Sequence, residues 1–170
     1  MRSQYGSRFL LLLLVVGLFS ISLGQPGGSR AVPDFGQRIN RRGVPDWEND
    51  VHFKHDLFTF VRVRYDSWRS RNKWATDYPD SDLNFSFRLQ QLTSLKVHPD
   101  GKVLNLTDKD LFNYPFIYMV EPGDLVLSED EIKALRRYLL NGGFMMVDDF
   151  WGEQEWENFE HEILRVFPDR

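Results

Sequence analysis

The chain has 170 residues, with 21 Lys and Arg against 25 Asp and Glu, a formal net charge of −4 and no cysteine. The acid excess argues against general nucleic-acid binding, which rests on neutralising phosphates. The missing cysteine excludes disulfide bracing, a lipid attached through cysteine, and thiol nucleophiles. Aromatic residues make up 15% of the chain, enough to build the core of one domain.

At the N-terminus, Arg2 and Arg8 form a positive segment ahead of an apolar run, Phe9 to Leu23, broken only by Gly17, Ser20 and Ser22. Ser22-Leu23-Gly24 then places small residues at the −3 and −1 positions of a cleavage site. Together these are the three parts of a secretory signal peptide. Residues 1–24 are therefore expected to be removed on export, leaving a protein that works in the periplasm or outside the cell. The run is shorter than the roughly 20 residues a membrane-spanning helix needs, so a retained anchor is the alternative. Contact with a membrane is expected only through this segment, before cleavage. Without Arg2 and Arg8, 19 basic residues face the 25 acids, a net of −6. Residues 25–49 are rich in Gly, Pro, Arg and Asn without an apolar period, the composition of a flexible linker.

The folded part is expected over residues 50–170. Leu57 to Tyr65 is β-branched and aromatic, and it alternates Val61, Val63 and Tyr65 with Arg62 and Arg64, which reads as a strand. Asp66 to Asp80 is a polar and aromatic loop. A helix follows, capped by Ser81 or Asp82, with Phe85, Leu89 and Leu92 at helical spacing. Val97 and Val103 to Leu106 flank the turn His98-Pro99-Asp100-Gly101 and suggest a short hairpin or strand pair. Asp108 to Phe112 can make one helical turn. Phe116 to Val120 is an unbroken apolar run, as in a strand buried on both faces, and Glu121-Pro122-Gly123 closes it.

Ser128-Glu129-Asp130-Glu131 is a capping box. The helix it opens carries Ile132, Leu135 and Leu139 as its apolar stripe and stops at Asn141-Gly142-Gly143. Phe144 to Val147 reads as a second doubly buried strand, ended by Asp148 and Asp149. Trp156, Phe159, Ile163 and Val166 mark a last amphipathic helix. Strand, helix and strand in this order are the signature of a parallel sheet in an α/β fold. The last helix would normally return to another strand, which implies a small sheet or a chain truncated at its C-terminus.

Four segments, FTFVRVRY, WATDYPDSDLNF, YPFIYMVEPG and LSEDEIKALRRYLLNGGFMMVDDFWG, resemble in that order the bacterial domain-of-unknown-function family 4159 (DUF4159), from about Phe58 to Arg170. The resemblance implies a flavodoxin-like three-layer sandwich with a mainly parallel sheet, related to glutamine-amidotransferase-like domains. It does not imply amidotransferase chemistry, because the nucleophilic cysteine of those enzymes has no counterpart here.

Two groups are candidates for a site, because open α/β sheets bind ligands beyond the carboxyl ends of their strands. Asp148 and Asp149 end one strand and can hold a divalent cation with waters completing its shell, or one of them can cap the next helix. Arg64, Tyr65, Trp68, Trp74, Asp77 and Tyr78 follow the first strand, and Trp151 follows the acid pair. Flat aromatic faces beside an arginine and acids suit a small polar ligand such as a sugar or peptide. The equal alternative is a loop that buries its own aromatics. None of the four histidines stands in a metal-binding spacing.

The leading expectation is therefore an exported, non-enzymatic module that binds a small polar ligand or an envelope protein, with no nucleic acid and no required cofactor. The alternatives are a metal-assisted hydrolase using Asp148 or Asp149 with Asp77 assisting, and a structural component of an envelope complex.

Overall fold

A computed structural model describes residues 40–53, 56–69 and 72–170. The expected signal peptide and most of the linker lie outside the described residues. The strands are β1 (Val61–Arg64), β2 (Asp66–Ser67), β3 (Lys102–Asn105), β4 (Phe116–Val120), β5 (Leu125–Val126) and β6 (Phe144–Asp148). The helices are α1 (Asp80–Leu92), α2 (Glu129–Leu140) and α3 (Glu153–Val166). Among the described residues no helix is long and apolar enough to cross a membrane.

Four strands form one parallel sheet in the order β3-β1-β4-β6. Numbered by chain order within that sheet, this is 2-1-3-4, the order of a flavodoxin-like fold. β2 and β5 pair antiparallel as a separate small ribbon. The period-two alternation of the central strands divides the core. Val61, Val63, Ile117 and Met119 pack with Ile132 and Leu135 of α2 and Phe159 and Val166 of α3. Phe60, Tyr118 and Val120 point the other way, where Phe85 of α1 lies 4.9 Å from Phe60 between ring centroids. The result is three layers, an α/β sandwich.

β4 spans the residues expected of it, and so does α2. Ser128 Oγ accepts from the Glu131 N–H, while Glu131 Oε2 accepts from the Ser128 N–H at 2.9 Å, completing the capping box. Gly142, at φ +93°, takes the left-handed turn that ends the helix, and the Gly143 N–H bonds back to the Tyr138 carbonyl at 3.0 Å.

Four expectations need correction. The turn at His98–Gly101 does not make a hairpin: Val97 bridges Phe58 in parallel and β3 runs parallel to β1. Turn residues mark a break in the chain without fixing the direction of the next strand. Successive burial of Val103 and Leu104 is the better guide, since it marks a strand covered on both faces. In α1 the cap position is Pro79, without a side-chain cap, and the buried residues are Asp82, Leu83 and Ser86, while Leu92 is 79% exposed. The stripe turned because buried Arg62 draws Asp82 inward. β6 is not doubly buried. It is an edge strand with Phe144 61% and Met146 38% exposed, its other face packing Met145 and Val147 against the core. In α3, Trp156 is exposed. Glu155 and Glu162 turn inward instead because each has partners there, Glu162 accepting from the Leu127 N–H at 2.8 Å.

Residues 40–49 make no regular structure, but they touch the domain. The Trp47 indole and the Asn49 amide both donate to the Val97 carbonyl, at 2.9 and 2.8 Å, and Arg41 pairs with Asp100.

Candidate functional site

A parallel sheet brings the carboxyl ends of all its strands to one edge. Here that edge carries Arg64 of β1, Asn105 of β3, Glu121 after β4, and Asp148 and Asp149 at the end of β6. Arg64 Nε donates to Asn105 Oδ1 at 2.9 Å. The Glu121 N–H extends the ladder to the Asp148 carbonyl at 2.8 Å. Glu121 and Asp149 both have left-handed backbones, at φ +47° and +68°. Such conformations cost energy in a residue with a side chain and cluster at functional positions. Asp148 Oδ2 accepts from the Tyr118 hydroxyl at 3.1 Å. Burial, reinforced by the charge of Asp148, pushes that hydroxyl up to about 12. Neither acid caps α3, whose cap position is Gly152.

In flavodoxin-like sheets the ligand crevice opens where the strand order reverses, here between β1 and β4. Tyr65 fills this point from inside. Its hydroxyl lies 2.7 Å from the carbonyls of both Val120 and Glu121. Burial, then the charges of Glu121, Asp124 and Glu155, raises its ionisation far above that of an ordinary phenol. The β2–β5 ribbon extends the same two chain segments beyond the sheet. Any ligand face therefore lies further out, on the loops.

Two buried ionic centres hold those loops. The first is Arg62, fully buried. Its Nε lies 3.0 and 3.1 Å from the two oxygens of Asp82, and Nη2 donates to Asp82 Oδ1 at 2.5 Å and to Ser81 Oγ at 2.6 Å. Nη1 donates to the carbonyls of Trp74 and Thr76 at 2.9 and 3.0 Å. All five guanidinium hydrogens are thereby engaged. The guanidinium also lies 5.2 Å from the centre of the Tyr118 ring and 5.9 Å from that of Tyr78. A chain of contacts thus runs from Asp148 through Tyr118 and Arg62 to the loop at Trp74–Tyr78.

The second centre is Lys73, whose Nζ lies 3.1 Å from Asp124 Oδ2 and 2.9 Å from Glu155 Oε1. The other oxygen of Glu155 accepts from the Trp151 N–H at 2.9 Å. Burial pushes the Glu155 carboxyl up, but the Trp151 N–H and the Lys73 ammonium outweigh it and hold the group below the usual range. For Lys73, burial alone would lower the ammonium, and the bonds to Glu155 and Asp124 more than offset it and raise it. Gly123 has to be glycine here, because a Cβ would stand 2.3 Å from that of Glu155.

This second centre lies between two exposed tryptophans. The Trp68 N–H donates to the Asp124 carbonyl at 3.1 Å, and Arg69 stacks 4.5 Å over the Trp68 ring. Trp68 is 57% exposed and Trp151 72%. Of the expected residues, Arg64, Trp68, Asp77, Asp148, Asp149 and Trp151 are therefore open to solvent. Tyr65 and Trp74 are buried, out of a ligand's reach, and Tyr78 packs half-buried 6.3 Å from Trp74 between ring centroids. Asp77 has φ +55°, and its carbonyl accepts from the Ser81 N–H at 2.9 Å. Sequence reasoning missed Arg62, Tyr118, Lys73, Asp124 and Glu155. The one available signal was Arg62 itself, a charge within an apolar strand. Among the described residues no three His, Asp or Glu side chains gather in a set that could hold a metal ion.

The sheet order and layers define an α/β domain of flavodoxin-like type. More specifically, the chain belongs to the family of the domain of unknown function DUF4159, whose family model matches residues 59–170. No curated protein matches the chain.

Proposed function

We propose that this domain is a non-enzymatic binding module, exported to the periplasm or the exterior, that takes a small polar ligand or an exposed segment of an envelope protein at its carboxyl rim. One observation carries the proposal: two exposed tryptophans, Trp68 and Trp151, are tied by their main chains to opposite ends of the buried Asp124–Lys73–Glu155 network. Large rings held in water by a rigid polar support are a costly way to arrange a surface that binds nothing, and they suit stacking against sugar or peptide faces. Arg69, Asp148 and Asp149 supply polar groups at the edge of the same rim. Export is supported by the apolar N-terminal run behind Arg2 and Arg8. The hydrolase alternative has no specific observation in its favour.

The test is a Trp68→Ala/Trp151→Ala double variant, compared with the parent by isothermal titration calorimetry against soluble cell-wall saccharides and short peptides. Both side chains are exposed, so melting should match the parent to within about 0.5 kcal/mol. Binding by the parent and its loss in the variant support the rim. Binding that survives the double substitution, or no ligand in either panel, counts against it.

A further inference from the structure

A second concave region lies between the outer face of α2 and the loop that follows β3, and it is lined by neither of the exposed tryptophans. Asp130, Lys133, Ala134 and Arg137 recur at helical spacing along α2, with Thr107, Lys109 and Phe112 opposite. Together they line a cavity of about 660 Å³, within the range of small-molecule sites. A smaller cavity of about 310 Å³ shares Phe112 and is bounded by Tyr114, Asn141 and Gly142.

The lining has three cations and one acid, on a chain whose net charge is −4. Asp130 pairs with Lys133 at 3.6 Å. Among the described residues Lys109 and Arg137 have no carboxylate partner. The Arg137 guanidinium stacks 4.7 Å over the Phe112 ring, and Phe112 packs edge-on to Tyr138 at 6.3 Å. That stacking pre-orients the guanidinium and leaves its edge donors available for an oxyanion, which Arg binds through paired N–H groups. Phe112 remains 39% exposed, so an apolar surface adjoins the two unpaired cations.

We infer that this groove binds a small acid with a flat apolar body, its acid group held between Lys109 and Arg137 and its body lying along Phe112 toward the smaller cavity. Two unpaired cations match one phosphate or carboxylate. A polyanion would run onto the acids that dominate the rest of the chain, which favours a small ligand over nucleic acid or an acidic protein. The inference does not rest on the Trp68–Trp151 surface or on the acid pair.

Phenyl phosphate and phenylacetate are the probes, titrated into the full chain at low salt and followed by amide shifts in nuclear magnetic resonance. Saturable shifts confined to residues 107–113 and 130–142, weakening as salt screens the charges, are expected. Whichever probe binds more tightly identifies the acid group. Lys109→Ala or Arg137→Ala should each weaken binding about 3- to 5-fold, the scale of one exposed charge pair. The double charge reversal Lys109→Glu/Arg137→Glu should abolish it without changing the melting profile. Three results would overturn the inference: no saturable shift with either probe up to about 10 mM, inorganic phosphate binding as tightly as phenyl phosphate, or a poly-glutamate peptide outcompeting both.

Discussion

Arg62 offers a direct test of what holds the rim loop to the sheet. In Arg62→Met the buried Asp82 carboxylate, 1% exposed, loses its counter-charge. Removing one partner of a buried pair costs about 3–5 kcal/mol. The Trp74 and Thr76 carbonyls lose their donor as well, at about 1 kcal/mol each. Asp82→Leu should cost a similar 3–5 kcal/mol by leaving the guanidinium without its carboxylate. The double variant Arg62→Met/Asp82→Leu carries no buried charge, so only the two carbonyls remain unsatisfied, a loss of about 2 kcal/mol. The double variant should therefore be more stable than either single one. Urea unfolding followed by tryptophan fluorescence measures all three, with an unchanged denaturant slope as the control. Amide exchange at residues 72–77 should speed up in both Arg62 variants and much less in Asp82→Leu. A double variant at least as unstable as Arg62→Met would refute the assignment of the cost to an uncompensated charge.

Glu155 is held below its usual range, so it contributes stability above its unfolded value of 4.5 and loses it as pH falls through the lower folded value. Lys73 is raised, so its contribution is complete below 10.5 and is lost as pH rises through the higher folded value. Urea midpoints of Lys73→Met across the pH range should show both limbs flattened relative to the parent. Gly123→Ala forces α3 away from the turn after β4 and should cost about 1–3 kcal/mol, read as a lower melting temperature. Met119→Asp, in the fully buried centre of the sheet, should leave the chain unfolded by circular dichroism. Met146→Asp, on the exposed face of the edge strand, should fold with a loss of about 1 kcal/mol.

The elements read best from sequence are those whose local chemistry and tertiary surroundings agree. β4 is apolar at every position and lies in the middle of the sheet. α2 carries its own start signal at Ser128 and its own stop at Gly142, so its limits need nothing from the rest of the fold. Phe144 to Val147 is equally apolar, yet it lies at an edge. Composition reports that a strand tolerates burial, and only the topology decides how much it receives. The α1 stripe failed for a different reason. The spacing of Phe85, Leu89 and Leu92 is sound, but one buried guanidinium 18 or more residues earlier rotated the helix toward Asp82. The rim was legible as a position, because the ends of parallel strands are predictable. Which of its aromatics face water was not, since Trp68, Trp74 and Tyr78 differ in exposure through main-chain bonds that composition does not encode.

The open side of β6 also bears on how the protein behaves in quantity. Among the described residues its outer row of amide and carbonyl groups has no strand beyond it, and between Gly143 and Asp148 there is neither a proline nor a charge to deter a neighbour. Natural sheets usually guard such edges with lysine, proline or a bulge. When warming loosens the domain, strands from separate molecules can join there faster than each chain can refold. In concentrated samples heat-induced loss would then be governed by collision frequency and heating rate, so the melting comparisons belong at high dilution. A lysine at position 146 is the simplest single change toward a form that withstands concentration.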